Sequence, residues 1–329
     1  MTQPSQSLIE RAADRLRSGG LVAFPTETVY GLGADALNPD AVARVFEIKR
    51  RPMSSPLIVH VVDEDMARSV ASAWPEEAGA IAGAFWPGPV SIIVPRADRL
   101  PEVVTGGGAT VAVRCPDHPM ALALIRALGG PIVAPSANLS GELSPTRAEH
   151  VRASFTEDEV LVLDGGACES GIESTVVSLV DRPARVLRRG VISADRLSIA
   201  IGREVVEVPA AMEQGDRPGA GVSGAQYAPR SRVVLFEPGR FAHATGAVQG
   251  PIVALVITER PELEPPGRVC VMPGDASAYA RGLYAALRAA DADAPAVIAV
   301  ELPPSAEAEP DRAVWSAVLD LLRRVATPA

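Results

Sequence analysis

Apolar and polar positions alternate in two rhythms along the N-terminal part of the chain. Some segments repeat at helical period, and others are short aliphatic and β-branched runs bounded by glycine or proline. Leu8, Ala12 and Leu16 recur at helical spacing, Ser7-Leu8-Ile9-Glu10 has the spacing of a capping box, and Gly19-Gly20 ends that helix. Leu21-Val22-Ala23 then predicts a short buried strand. Asn38-Pro39 opens a second helix, with Val42, Val45 and Phe46 on one face and Lys49, Arg50 and Arg51 at its C-terminal end. Pro52 and Pro56 break the chain. Leu57 to Val62 reads as a buried strand with one polar member, His60, and Val90 to Val94, Thr110 to Arg114, Pro131 to Ala134 and Val176 to Val180 read as further strands. Met120 to Leu128 is an amphipathic helix.

After Ile201-Gly202 the texture changes. Residues 206–230 are rich in Gly, Ala and Pro with no long apolar period, which predicts a linker between a domain spanning 1–205 and another spanning 231–329. In the last segment strand-like runs (Val233 to Phe236, Ile252 to Ile257, Val297 to Val300) alternate with two amphipathic helices, Ala278 to Ala290 and Ala313 to Val325. That alternation predicts a small parallel α/β domain. It carries no phosphate loop of G-x-x-x-x-G-K type.

Composition narrows the class. The chain has 329 residues, 47% of them hydrophobic, and a mean hydropathy of +0.17, enough to bury a sizeable core. No apolar run approaches the ~20 residues that span a bilayer, and the N-terminus has neither a basic nor an apolar signal region, so a cytoplasmic protein without a membrane segment is expected. Cys115, Cys168 and Cys270 lack C-x-x-C spacing and predict reduced thiols, with no metal-ligand cluster in view. The net charge of −9 argues against broad non-specific nucleic-acid binding. Of the 31 basic residues, every one but Lys49 is arginine. Either chance left that lysine, or its position needs a compact ammonium that a planar guanidinium cannot replace. At an exposed helix end, it is expected to be replaceable without loss of the fold.

Candidate chemistry collects where apolar runs end in polar residues. Phe24 to Gly33, FPTETVYGLG, sets two threonine hydroxyls, a carboxylate and a phenol beside Gly31 and Gly33, whose freedom would let the backbone approach a ligand; the alternative is a capped strand-to-helix turn with Tyr30 in the core. Arg114, at the exit of its strand, can offer a fork to a carboxylate or form a surface ion pair. Pro135-Ser136-Ala137-Asn138-Leu139-Ser140-Gly141 could cradle a phosphate or ribose, or make a plain turn. Gly171-Ile172-Glu173-Ser174-Thr175 is a third such mouth, and Arg188-Arg189-Gly190 forms a basic corner.

The ordered set PTETVYGLG, Lys49-Arg50-Arg51-Pro52 with Ser55-Pro56-Leu57, WPGP, VAVRCP, PSANLSG, GIESTVV and VLRRG resembles the threonylcarbamoyl-AMP synthases, the YrdC-like family, over roughly residues 8–202. The resemblance implies an α/β fold: a twisted, mixed-sheet catalytic domain with a concave cavity, plus the smaller Rossmann-like parallel α/β domain of long-form members. It implies condensation of L-threonine, bicarbonate and ATP to threonylcarbamoyl-AMP and pyrophosphate, for N6-threonylcarbamoyladenosine in tRNA. Magnesium would accompany ATP, and downstream threonylcarbamoyl transferase proteins would receive the product. By the same resemblance Arg114 would clamp the threonine carboxylate, with Thr28, His60, Ser174 and the Ala134 backbone lining the rest of that pocket. Lys49 and Arg51 would hold the triphosphate and stabilise the reacting phosphoryl group, helped by Ser55, Thr110, Ser136, Asn138, Ser144 and Arg188. Two positions depart from the family pattern. Ser55 stands where an Asn is frequent before Pro-Leu, and Gln226-Tyr227-Ala228-Pro229 stands where long forms carry His-Tyr-Ala-Pro; Tyr227 keeps the expected nucleotide contact. The competing class is a non-catalytic module for double-stranded RNA or tRNA, against which the acidic balance and scattered aromatics weigh.

Overall fold

The computed structural model describes residues 6–208, 228–258, 267–304 and 311–326. The chain divides into two compact units, one taking in Met1–Ser140, Ser144–Glu169 and Glu173–Ser223, the other Gly141–Leu143, Ser170–Ile172 and Gly224–Ala329.

The first unit begins with helix α1, Gln6–Arg17, whose buried face is Ile9, Ala12, Ala13 and Leu16. Ala12 and Leu16 of the expected stripe are buried, Leu8 is only half-buried with Ile9 and Ala13 completing the face, and Ser7 falls inside the helix. Strand β1, Leu21–Phe24, pairs antiparallel with β2, Gly31–Asp35. FPTETVYGLG is therefore the tip of a hairpin and opens no helix. Gly31 and Gly33 belong to β2, where added Cβ atoms would lie 3.0 Å from the Ala134 Cβ and 2.8 Å from the Phe24 ring. Those glycines admit neighbouring side chains and do not bend the backbone towards a ligand.

Helix α2, Pro39–Lys49, is capped by Asn38, whose side chain accepts from the Asp40 and Ala41 amides. Strand β3 is Ile58–His60, followed by α3, Glu64–Val70, and α4, Glu76–Phe85. Then come β4, Val90–Pro95; β5, Thr110–Arg114; α5, Pro119–Leu128; β6, Ile132–Val133; α6, Ala148–Arg152; and β7, Val160–Val162. The unit ends with β8, Thr175–Ser178; β9, Ala184–Arg188; α7, Ala194–Ile201; and β10, Val205–Glu207. These strands form one ten-stranded mixed sheet in the order β10-β9-β8-β4-β5-β3-β6-β2-β1-β7. Helices cover both of its faces: Leu21 and Ala23 join one core cluster and Val22 and Phe24 another. Burial on two faces explains why the strands read as continuous apolar runs. Strand β10 and buried Val208 carry the unit past residue 205, where the sequence texture places its end; Val208 packs with Ile93, Ala112, Val176 and Leu187.

The second unit holds an all-parallel sheet in the order β11-β14-β12-β13, built from β11, Arg232–Phe236; β12, Ile252–Val256; β13, Gly267–Val271; and β14, Val297–Glu301. A short α8, Phe241–Thr245, follows β11. Helix α9, Ala276–Ala292, buries Tyr279, Ala280, Leu283, Tyr284, Leu287 and Ala290 at helical spacing, and α10, Asp311–Val325, completes it.

Candidate active site

The hairpin tip between β1 and β2 is ordered by its own hydroxyls. Thr26 Oγ1 accepts from the Thr28 and Val29 amides, each at 3.2 Å, and donates to the Val29 carbonyl at 2.6 Å. Its 2.8 Å contact with Thr28 Oγ1 must then be donated by Thr28, which in turn accepts from Arg114 Nη1 at 2.9 Å. A single donor chain thus runs from the guanidinium through Thr28 and Thr26 into the backbone. Arg114 Nε donates to the Gly88 carbonyl at 3.2 Å, which fixes the plane of the fork. Tyr30 takes no part: its hydroxyl donates to the Gly166 carbonyl and accepts from the Gly165 amide, and burial holds it protonated.

His60 lies opposite Arg114 in the parallel β3–β5 register and is 3% exposed. Burial and the neighbouring guanidinium push its pKa down to about 3, so the imidazole is neutral near pH 7. Its Nδ1 is buried without a hydrogen bond. Ala134 follows β6, its amide donated to the Ile58 carbonyl at 3.0 Å, so only its carbonyl remains to face a ligand.

Lys49 is 1% exposed, at the end of α2, which corrects the expectation of an exposed lysine. Its ammonium donates to the carbonyls of Ser136 and Asn138, each at 2.5 Å, and the Ser140 amide donates to the Lys49 carbonyl. The lysine and the PSANLSG loop are therefore one assembly. Arg51 is half-buried and donates to the Pro56 carbonyl, while Ser55 and Thr110 are half-buried on a turn and at the start of β5.

A third cluster surrounds Ser174. Arg188 donates to its carbonyl and to its hydroxyl, both at 3.0 Å, and Ser91 Oγ lies 2.9 Å from that hydroxyl. Ser144 donates to Glu173 at 2.7 Å. Consecutive residues Glu173 and Ser174 thus tie Ser144 and Arg188 together, and Arg188 fixes the Ser174 position. Gly190 permits this crowding, since a Cβ there would lie 2.3 Å from the Thr175 amide nitrogen. Tyr227 lies outside the described residues.

The structure adds three residues to the set read from sequence: Ser91, Glu173 and above all Glu27. Glu27 Oε1 stands 2.6 Å from Arg114 Nη2, with both side chains about 5% exposed, and its Oε2 accepts from the Asp117 amide at 3.0 Å. Its place between the two threonines of PTETVYG was its only sequence signal. Among the described residues no group of His, Cys, Asp and Glu could hold a metal ion.

Residues 14–190 match the family described as Telomere recombination, and residues 192–327 match Threonylcarbamoyl-AMP synthase, C-terminal domain. Threonylcarbamoyl-AMP synthase of Bacillus subtilis is 40% identical over 97% of this chain and 92% of its own length. The chain belongs to the threonylcarbamoyl-AMP synthase family. The Pyrococcus abyssi synthase is 44% identical over 70% of this chain and 68% of its own. The crystal structure of P. abyssi Sua5 complexed with L-threonine superposes with a TM-score of 0.86 at 36% identity, covering 98% of this chain and 95% of that one. A long-form, two-unit synthase architecture and a mixed-sheet catalytic fold follow.

Proposed function

We propose that this synthase condenses L-threonine, bicarbonate and ATP to threonylcarbamoyl-AMP and pyrophosphate, the activated intermediate for threonylcarbamoyladenosine in tRNA. The observation that carries the reading is Arg114, buried at the sheet's centre with its fork oriented by Gly88 and Thr28, in a chain that superposes on a relative crystallised with L-threonine. Gly88 on Nε, Thr28 on Nη1 and Glu27 on Nη2 at 2.6 Å together hold the guanidinium in one orientation, the planar fork that a carboxylate contact requires. Neutral His60, Ser174 and the Ala134 carbonyl supply the uncharged part of the threonine pocket.

The threonine nitrogen, as free amine, adds to the bicarbonate carbon with loss of water, and a carbamate oxygen attacks the α-phosphorus as pyrophosphate leaves. No side-chain nucleophile is required. The work falls to positioning and to stabilising charge at phosphorus, roles assigned to Lys49 with Ser136 and Asn138, to Arg51, Ser55 and Thr110, and to Ser144 and Arg188. Tyr227 adds a nucleotide contact. Magnesium would enter as the companion of the ATP phosphates, which it binds while keeping several waters; the described residues offer it no ligand cluster of their own. The product would pass to threonylcarbamoyl transferase proteins.

The test is pyrophosphate release in the presence and absence of threonine and bicarbonate, with tRNA binding measured alongside. Release that depends on both substrates supports the synthase, whereas tight tRNA binding without release favours the RNA-binding alternative. Arg114→Ala should raise the KM for threonine by at least ~10-fold, since a hydrogen bond to a charged group is worth about 1.5–3 kcal/mol, while leaving the KM for ATP little changed. Equal effects on both constants would make Arg114 a structural residue.

A further inference from the structure

The second unit, which takes in residues 141–143, contains an open cavity of about 490 Å³ between the last turns of α9 and the segment leading into β11. That volume lies in the range of small-molecule sites. The charged and hydroxyl side chains on its wall are Glu142, Arg230, Ser231, Arg288 and Asp291. Hydrogen bonds fix the wall in place. Asp291 Oδ2 accepts from the Arg230 amide at 3.1 Å and Oδ1 from the Ser231 amide at 2.8 Å, while the Ala228 amide donates to the Gly141 carbonyl at 2.9 Å.

The two arginines decide what the cavity can take. Arg288 is half-buried, and its one hydrogen bond runs from Nη2 to the Leu143 carbonyl. Its Nε is shut off from water without a partner, and no carboxylate among the described residues forms an ion pair with it. Burial pulls its pKa below the ordinary arginine range, against the opposing fields of Glu142, Tyr284 and Asp291. A guanidinium so placed lacks the close counter-charge that burial demands. Arg230 is exposed, and among the described residues its side chain has neither a hydrogen bond nor an ion pair. A plain surface recess accounts for Arg230 but not for Arg288.

The C-terminal end of a helix ordinarily repels an anion. Here the carbonyls of Ala289, Ala290 and Asp291 are already taken, by Arg268 and by the amides of Asp293 and Ala294. Ala294 reaches its position in the left-handed conformation, at φ 46°. Asp291 in turn is engaged by two amides, so the groups left to meet a ligand are mainly N–H and O–H donors.

We propose that this cavity binds a small phosphorylated molecule through Arg288 and Arg230, at a site that shares no residue with the set assigned to the ATP phosphates. Phosphate oxygens only accept, and they match the planar fork of a guanidinium. The volume leaves room beside the phosphate for a group of sugar size.

The experiment is calorimetric titration of the full-length protein with ribose 5-phosphate, and with ribose as the uncharged control, in a buffer free of phosphate. Ribose 5-phosphate should bind in the millimolar range or tighter, and ribose should not. Arg230→Gln should raise its Kd about 10-fold, the worth of a hydrogen bond to a charged group, and Arg288→Gln should do the same. Arg51→Ala, which alters the ATP-phosphate set, should leave ribose 5-phosphate binding in place. Because the Arg230 side chain holds nothing in the fold, Arg230→Gln decides the matter even if Arg288→Gln does not fold. Absence of binding, equal binding of ribose, or binding that survives Arg230→Gln unchanged and disappears in Arg51→Ala overturns the proposal.

Discussion

His60 shows how a single side chain can link the site to the stability of the domain. It stands on a short strand between β5 and β6, its ring meeting Phe24 edge-on at 6.1 Å. Burial and Arg114 keep it neutral down to about pH 3, whereas in the unfolded chain it titrates near the ordinary 6.5. Between those values the unfolded state binds a proton that the folded state refuses. Its contribution to stability is therefore full above pH 6.5 and is lost as the solution is acidified towards pH 3, at up to about 1.4 kcal/mol per pH unit. Denaturant unfolding of wild type and His60→Gln from pH 7 to pH 4 should show the wild type losing stability more steeply with acid, because the variant lacks the group. Parallel profiles would mean that the native imidazole takes up a proton.

At the scale of elements, the lone lysine ties α2 to the loop after β6. Its two carbonyl partners converge at 2.5 Å each, a geometry that a compact ammonium meets and a planar guanidinium does not. Lys49→Ala should lower turnover by orders of magnitude and, contrary to the expectation for an exposed position, lower the unfolding free energy by about 1–3 kcal/mol, since the Asn138 and Ser136 carbonyls each lose the ammonium, the latter keeping the Asn138 amide at 3.0 Å. Lys49→Arg should restore neither. Pyrophosphate release and urea unfolding on the two variants check this, and a stable, active Lys49→Arg would remove the packing argument. The same residue illustrates what the sequence could and could not reveal. The helix Pro39–Lys49 is announced by Asn38-Pro39 and by Val42, Val45 and Phe46, but the partners of Lys49 are main-chain atoms, which carry no residue identity. Helix α3 went unread because its seven residues span only two turns, and α4 because Ala and Gly dominate 76–85 and give little contrast between faces. Strand β13 went unread because it is an edge with none of its five residues fully buried, opening on Gly267 and Arg268 and leaving a run of only three apolar residues, the last of them, Val271, exposed. Thr28, Arg114 and Ser174 were legible through ordered motifs. The role of Glu27 was not, since the partner that gives it meaning lies 87 positions away and is brought near only by the sheet.

For the whole molecule, the question is what the chain beyond the first sheet contributes to the reaction. The first unit is continuous through Val208: β10 pairs with β9, and Val208 closes a cluster with Ile93, Ala112, Val176 and Leu187. A truncation that tests the rest must therefore end after Val208 and not after Gly202, which would strip an edge strand and uncover apolar surface. A carbamate and a mixed anhydride both hydrolyse readily, so a synthase gains from excluding water while the α-phosphorus reacts. The family resemblance implies a nucleotide contact for Tyr227, which follows a glycine-rich stretch of sequence. We therefore expect the truncated protein to bind threonine with near wild-type affinity through Arg114 but to yield less threonylcarbamoyl-AMP per ATP consumed. Tyr227→Ala in the full chain should show the same fall in yield with the second unit still attached. Intermediate formed and ATP consumed, measured together for the three proteins, give the ratio. If all three share one ratio and one rate, the segment is a tether and Tyr227 leaves the active site; if only the truncation is impaired, the second unit acts without that tyrosine.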